Sequence, residues 1–205
     1  MILDISQPLK AGVPVWPGDT EFSFDLAWTR EEGGSVNVGR IAMSTHTGTH
    51  VDAPFHFRDD GARVGELDLD AFIGPARVIE VRGEAIGAGE LGRYDLEGVE
   101  RLLLKTGSWP DRTVFPAGIT HLNPDVALFL AERGVRLVGV DTPSVDPLDS
   151  KDLPAHEALR ANGIHILEGL MLDRVEPGDY KLISLPLALE EADASPVRAV
   201  LRSLP

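Results

Sequence analysis

Short apolar runs spaced along the chain are the feature that most limits its possible folds. They are rich in Val, Ile and Leu, are mostly bounded by Gly, Pro or Asp, and cover residues 76–81, 100–104, 135–140, 164–167 and 180–185. Runs of about four to eight such residues between turn-forming residues are typical of β-strands. We therefore expect strands to form most of the regular structure.

Two earlier segments show the alternation of a strand with one buried face. Every second residue is apolar over positions 22–28, which predicts a half-buried strand. Positions 36–43 continue this pattern with a phase slip near Gly39, where we expect a β-bulge. The first quarter of the chain is therefore predicted to be rich in strands.

Helix signals are clear in two places. Asn123 can cap a helix that starts at Pro124 and stops at Gly134. A second short helix is predicted over residues 155–161, between a proline and a glycine. No internal repeat or linker-like segment divides the chain, so we predict one strand-rich α/β domain over residues 1–205.

The composition removes several classes of protein. The chain has 205 residues and no cysteine, so it forms no disulfide and offers no thiolate for catalysis or metal binding. At this length a chain buries roughly 70% of the surface that its unfolded form exposes, which is enough to fold without a structural metal. Any metal must therefore be bound by His, Asp or Glu.

The charge balance limits the partners. The formal net charge of −14 at pH 7 repels nucleic-acid phosphates and anionic lipids, so we expect neither a nucleic-acid nor a membrane partner. The acidic residues are scattered, which fits a solvated surface better than a nucleic-acid mimic. The N-terminus has no basic segment, and Asp4 and Pro8 interrupt its apolar residues, so we expect a cytoplasmic protein without a secretory signal.

One short segment contains an unusual density of ionisable side chains. Three of the six histidines and one aspartate lie within eleven residues: His46, His50, Asp52 and His56. A helix would point Asp52 away from His46, and Gly48 and Pro54 also disfavour a helix here. An extended chain, bent at Gly48 and Pro54, would place all four side chains on one side.

These four side chains offer the nitrogen and oxygen atoms that Zn²⁺ accepts as ligands. Mn²⁺, Co²⁺ and Fe²⁺ suit the same atoms, so the residues alone do not identify the ion. The alternative is a chance cluster of histidines on a loop, which this regular spacing disfavours.

The segment resembles the H-x-G-T-H-x-D-x-P-x-H signature of the cyclase-like family of metal-dependent hydrolases. Similarity to the family continues at residues 3–9, 13–19, 139–146, 155–157 and 167–170. The resemblance implies a swivelling β/α/β-type fold and a homo-oligomer, most simply a homodimer.

The resemblance also implies two divalent metal ions per subunit, Zn²⁺ first, with Mn²⁺ or Co²⁺ as alternatives. His46, His50 and Asp52 would bind one ion, and Asp52 would bridge to a second ion held by His156 and Glu168. Without the resemblance, His156 would be interpreted as an ordinary helix histidine and Glu168 as a strand-end carboxylate.

Four further residues complete the prediction. By resemblance, His56 is the catalytic acid/base, and it is left free because a fourth protein ligand suits a structural metal site better than a catalytic one. Trp16 corresponds to the family's aromatic substrate contact, although packing in the core or rim would explain it equally well without the resemblance. His121 and His165 are interpreted as structural.

The implied activity is hydrolysis of the formamide of N-formyl-L-kynurenine, a small-molecule substrate, to L-kynurenine and formate. The alternatives are a family member acting on another aromatic or cyclic amide, such as an isatin hydrolase or another cyclase, and a non-catalytic protein that binds metal or a small molecule. A G-x-G-x-x-G match occurs at residues 87–92, but the residues on either side disfavour the strand and helix that a dinucleotide-binding motif needs. We therefore interpret this segment as a glycine-rich loop. The chain has no G-x-S-x-G elbow and no P-loop motif.

Overall fold

The structure is a computed structural model that describes residues 1–204. The strands in this range are β1 (Ile2–Asp4), β2 (Ser23–Trp28), β3 (Val38–Ala42), β4 (His50–Asp52), β5 (Ile73–Glu80), β6 (Ala85–Ile86), β7 (Arg101–Lys105), β8 (His121–Leu122), β9 (Leu137–Val140), β10 (His165–Glu168), β11 (Gly178–Ile183), β12 (Ala194–Pro196) and β13 (Val200–Ser203). The α-helices are α1 (Arg30–Gly33), α2 (Ala88–Leu91), α3 (Asp125–Ala131) and α4 (Pro154–Ala161). None of these helices is long and apolar enough to cross a membrane.

A nine-stranded mixed sheet organises the molecule, with the order β1-β13-β11-β5-β7-β9-β10-β4-β12. The central strands β5, β7, β9 and β10 are parallel, whereas the strands on both flanks pair antiparallel. The predicted α/β class with a strand majority is confirmed. The predicted extent of one domain over 1–205 stays a prediction, and its last residue lies outside the described range.

The central strands are buried on both faces. On β7, Leu102 and Leu104 pack into a core shared with α3 and α4, while Leu103 points into a second core on the opposite face. Successive side chains of a strand alternate between faces, so a strand covered on both sides is a continuous apolar run. This explains why the apolar runs in the sequence predicted the central strands β5, β7, β9 and β10; the last run predicted β11, a flanking strand in which only Leu182 is fully buried.

The two strands of the early hairpin are present, but the prediction of a half-buried strand was wrong. All residues of β2 and β3 are exposed, including Phe24 and Trp28 at 58% and 50%. The two strands pair only with each other, outside the main sheet. Alternation of apolar and polar residues indicates that a strand has one apolar and one polar face. It does not indicate whether another part of the same chain packs against the apolar face. The irregularity expected near Gly39 is confirmed, although the extra residue is Ala27 on β2.

Both predicted helices form with shifted ends. The first begins at Asp125, with Pro124 as its N-cap, and ends at Ala131; Gly134, at φ +82°, ends the turn that follows. The second begins at Pro154, where the missing proline N–H costs nothing in the first turn.

The glycine-rich segment 87–92 is not a loop, contrary to the prediction, because residues 88–91 form the one-turn helix α2 after β6. A backbone N–H at the start of α2, that of Ala88, lies 3.3 Å from Oδ2 of Asp125. A protein carboxylate thus contacts the helix end that a dinucleotide phosphate would need.

Candidate active site

The pairing of β4 with β10 places the side chains of His50, Asp52 and Glu168 on one face of the sheet. Glu168 pairs directly with His50, and Ile166 pairs with Asp52. Val51 points into the core on the other face, so His50 and Asp52 project together toward the face that α4 covers. Partners directly opposite in an antiparallel pair are close neighbours, which brings Glu168 beside His50.

A tight turn delivers His46 to the same place. The bend predicted at Gly48 is present, with φ +72°, but residues 45–49 form a turn rather than the extended chain that was expected on either side of it. This turn packs against the end of β10 so closely that a Cβ on Gly169 would lie 2.2 Å from the Gly48 carbonyl oxygen. Gly169 therefore allows the turn carrying His46 to reach Glu168 at the end of its strand.

Helix α4 contributes His156 through its first turn. Asp146 fixes this end of the helix, because its carboxylate accepts hydrogen bonds from the backbone N–H groups of Ala155 and His156 at 2.9 and 3.0 Å. The same carboxylate lies 2.6 Å from His156 Nδ1. The Nε2 atom of His156 is therefore the nitrogen that faces the cluster.

Asp52 lies at the centre of the cluster. Its Oδ1 is 3.1 Å from His46 Nδ1 and 3.4 Å from His50 Nε2, and its Oδ2 is 3.4 Å from His156 Nε2. Glu168 lies 3.6 Å from His156 Nε2 through Oε1 and 3.5 Å from His50 Nε2 through Oε2. The structure thus brings together all five residues predicted to bind metal, in two groups of three that share Asp52.

Several buried polar atoms of this cluster have no protein partner within residues 1–204. Asp52 Oδ1 and Oδ2 and His50 Nε2 are buried and have no hydrogen-bond partner among the described residues. A buried carboxylate without partners is costly, whereas a divalent cation would bind the same oxygen and imidazole atoms. The donor set of nitrogen and carboxylate oxygen therefore fits the ions that the sequence predicts.

The close spacing of these charged side chains shifts the pKa values of His46, His156 and Glu168. Burial alone would lower the pKa of His46, but its contacts with Asp193 and Asp52 outweigh burial and raise that pKa to about 10. For His156, the hydrogen bond with Asp146 and the nearby Asp52 carboxylate likewise outweigh burial and raise the pKa to about 10. Burial, reinforced by the Asp52 charge, raises the pKa of Glu168 to about 8. Protons and a divalent cation therefore compete for these atoms.

His56 lies beside the cluster and belongs to neither of the two groups that share Asp52. It ends the short 3₁₀ helix Pro54–His56, and its ring centroid lies 4.0 Å from that of His46. Burial lowers the pKa of His56, and the neighbouring His46 charge lowers it further. An accessible imidazole with a lowered pKa is neutral near pH 7 and can accept a proton.

A cavity of about 450 Å³ opens over this cluster. His46, His50, His56, His156 and Glu168 line its floor, and Trp16 and Trp109 are among the apolar residues of its wall. Trp16 is 41% exposed and contacts Phe115 edge to face, with centroids 5.2 Å apart. The predicted aromatic residue is thus part of the same cavity as the ionisable cluster, whereas His121 and His165 lie outside it.

Residues 3–147 match the sequence model of a family described as "Putative cyclase". The chain belongs to this cyclase family. It is 58% identical over 203 residues to a kynurenine formamidase of Bacillus cereus, covering 98% of this chain and 97% of the relative.

Solved structures agree with the family. A protein described as a potential metal-dependent hydrolase with cyclase activity matches the whole chain and 99% of its own length, with 28% identity and a TM-score of 0.86. Isatin hydrolase A of Labrenzia aggregata, bound to benzyl benzoate, is 25% identical and covers 98% of this chain and 93% of its own, with a TM-score of 0.84. The predicted cyclase-like fold is confirmed.

Two carboxylates of this cyclase family member were not predicted from the sequence. Asp146 orients His156, and Asp193 lies 3.0 Å from His46 Nε2 through its Oδ2. Asp146 belongs to a segment that resembles the family, but its spacing from His156 carries no recognised pattern. Asp193 precedes β12 and reaches the cluster only because β12 pairs with β4, which no local sequence signal reports.

Proposed function

We propose that this cyclase family member is a metal-dependent kynurenine formamidase, which hydrolyses N-formyl-L-kynurenine to L-kynurenine and formate. The observation that carries this proposal is the 58% identity, over nearly the full length of both chains, to the kynurenine formamidase of Bacillus cereus. The ionisable cluster at the base of an aromatic-walled cavity supports a hydrolytic reaction on an aromatic substrate.

Five residues of the cluster would hold two divalent ions in this proposal. His46, His50 and Asp52 would hold the first ion, and Asp52, His156 and Glu168 would hold the second. When bound, such ions lower the pKa of water and polarise a carbonyl group. Asp52 is the residue that would link the two ions, since its two oxygens face different histidines.

His56 is the proposed carrier of the proton. It takes a proton from the attacking water as the water oxygen bonds to the formyl carbon, and it gives that proton to the aryl nitrogen as the C–N bond breaks. Formate, L-kynurenine and one proton then account for all atoms of the formamide and the water. The lowered pKa of His56 favours the neutral form that accepts the first proton.

Trp16 is the proposed contact for the aryl ring of the substrate. Its indole forms part of the cavity wall and contacts Phe115, another residue of that wall, edge to face. An exposed, edge-supported aromatic face suits stacking on a flat ring. The same wall would hold the formamide over the ionisable floor.

Three finer assignments complete the proposal. We propose Zn²⁺ as the first ion to test, with Mn²⁺ and Co²⁺ next, because all three accept nitrogen and oxygen ligands. We propose a homodimer, which sedimentation of the purified protein would test. A cytoplasmic location is proposed as well, and cell fractionation would test it.

A second candidate is hydrolysis of a cyclic aryl amide. The match to isatin hydrolase A over 98% of this chain favours it, because isatin is also a flat aromatic amide. Hydrolysis of isatin opens a ring and releases no formate, so formate release separates the two activities.

The test follows kynurenine and formate formation by purified protein before chelation, after chelation, and after adding back Zn²⁺, Mn²⁺ or Co²⁺. We expect turnover that disappears with the chelator and returns with metal. The variant His50→Ala should lose turnover, whereas His121→Ala makes the same change outside the cluster and should keep it. Turnover of isatin but not of N-formyl-L-kynurenine by metal-loaded protein would move the assignment to the second candidate.

A further inference from the structure

Asp193 joins the ionisable cluster from a distant part of the chain. It directly precedes β12, and its backbone carbonyl accepts a hydrogen bond of 2.8 Å from the N–H of Ala53. Since Ala53 follows the end of β4, this bond anchors Asp193 beside the segment that leads from Asp52 to His56. The carboxylate is therefore held in place by backbone pairing rather than by a flexible loop.

The two oxygens of Asp193 have separate partners. Oδ1 accepts a hydrogen bond from the Thr45 hydroxyl at 2.9 Å, which fixes the plane of the carboxylate. Oδ2 lies 3.0 Å from His46 Nε2 and 3.7 Å from His56 Nδ1. One oxygen thus faces both imidazoles, whose rings are 4.0 Å apart.

The charge of Asp193 suits this position. An aspartate carboxylate is ordinarily ionised at neutral pH, and Oδ2 of Asp193 lies within hydrogen-bond distance of His46 Nε2. Among the described residues, Asp193 is the only acidic group within 4 Å of a ring nitrogen of His56. A carboxylate beside one imidazole nitrogen favours the tautomer with the proton on that nitrogen.

We propose that Asp193 is a positioning residue that sets the orientation and tautomer of both His46 and His56. It accepts the Nε2–H of His46, so that Nδ1 faces Asp52 and the proposed first ion. It also faces the Nδ1–H of His56, which leaves Nε2 as the nitrogen that exchanges the proton with water and substrate. The second half of this proposal rests on the proposed formamidase activity; the first half does not.

A different role for Asp193 is a direct contact with a metal ion. His46, His56 and Asp193 offer ligand atoms within 4.8 Å of one another. Positioning is favoured because Nδ1 of His46 already faces Asp52, so Asp193 contacts the opposite nitrogen of the ring. A carboxylate on the outer nitrogen of a metal-binding histidine orients the ring and makes it a stronger ligand.

The variant Asp193→Asn tests both halves, with Glu191→Gln as a matched carboxylate-to-amide change at an exposed neighbour. For the His46 half, the Zn²⁺ affinity of chelator-treated protein is measured by competition with a coloured chelator. We expect binding of the first ion to weaken about 10-fold or more in Asp193→Asn, with two ions still bound at saturation, and no change in Glu191→Gln.

For the His56 half, kcat is measured at saturating Zn²⁺ on formanilide and 4-nitroformanilide. A misplaced proton donor slows the poor leaving group more than the good one, so the loss in kcat should be several-fold greater for formanilide. Damage to the fold alone would lower kcat equally on both substrates. KM should change little, because Asp193 is not among the residues lining the cavity.

The outcomes separate the possible failures. Unchanged Zn²⁺ affinity together with an equal loss on both formanilides would overturn the proposal, and loss of one whole equivalent of metal would replace it with direct ligation. If metal-loaded wild-type protein hydrolyses neither formanilides nor N-formyl-L-kynurenine, the proposed function fails. The affinity measurement then still supports or overturns the His46 half.

Discussion

His156 Nδ1 lies 2.6 Å from Oδ2 of Asp146, and the same carboxylate accepts the first backbone N–H groups of α4. One buried side chain therefore sets both where the helix begins and which nitrogen of His156 faces Asp52. The hydrogen bonds from His156 and from the backbone outweigh burial and keep the pKa of Asp146 below its usual value.

Asp146→Ala should weaken the second metal group and the fold together. Leaving the helix N–H groups without an acceptor costs about 1–3 kcal/mol of unfolding free energy. Loss of the carboxylate that orients a metal-binding histidine typically weakens metal binding by about 10–100-fold. Zn²⁺ titration should show one weakened site and one unchanged site. The control Asp149→Ala changes an exposed aspartate nearby and should match wild type; two equally weakened sites would contradict the assignment.

Asp52→Ala should remove metal binding from both groups, because its two oxygens face different sets of histidines. Metal content per subunit, measured after dialysis, should fall from two ions to less than one. The crowded imidazoles of His46, His50 and His156 would also lose the carboxylate that they share. Retention of two ions by a folded Asp52→Ala protein would show that the residue does not bridge the groups.

His56→Ala should keep metal and lose most turnover. General acid–base catalysis contributes about 10²–10⁴-fold to a rate, and kcat should fall by an amount in that range. Metal content is the necessary companion measurement, since it separates loss of the proton carrier from loss of the ions. His121→Ala provides the matched control. Normal turnover by metal-loaded His56→Ala would remove the acid/base role.

The strands and the first half of the site could be predicted because both depend on neighbouring residues. His46, His50 and Asp52 lie within seven positions, so their spacing alone indicated convergence. His156 and Glu168 were predicted only by family resemblance. They reach the site through the first turn of α4 and the β4–β10 register, and neither can be inferred from neighbouring residues. Asp193 was not predicted at all. Its role depends on the pairing of two distant strands, which leaves no local pattern.

Metal-free protein should become less stable as the pH rises. The pKa values of His46 and His156 are raised to about 10 in the folded state, against 6.5 as the ordinary value. A raised histidine pKa stabilises the fold fully below about pH 6.5, and this contribution is lost as the pH rises toward 10. The raised pKa of Glu168 also makes the fold less stable as the pH rises, because the unfolded chain loses this proton near pH 4.5 and the folded protein holds it to about pH 8.

Thermal unfolding of chelator-treated protein at pH 6.5, 8 and 9.5 measures this effect. The Tm should fall across the series, and added Zn²⁺ should raise it most at high pH, where fewer protons compete for the ligands. Calorimetric titration at pH 7 in buffers of different ionisation enthalpy should also show proton release on metal binding. A Tm that rises with pH in metal-free protein would contradict the charge state described for the cluster.

Trp16→Ala should raise KM for N-formyl-L-kynurenine while leaving the fold intact. The side chain is 41% exposed, so its removal costs the core little. Aromatic stacking contributes about 0.5–1.5 kcal/mol beyond simple burial, which corresponds to a KM increase of roughly 2- to 13-fold. Trp16→Phe keeps a flat ring against Phe115 and should recover most of the loss. Since the ring carries no proton in the reaction, kcat at saturating substrate should change little in either variant. An unchanged KM in Trp16→Ala, or a loss confined to kcat, would show that the substrate ring lies elsewhere in the cavity.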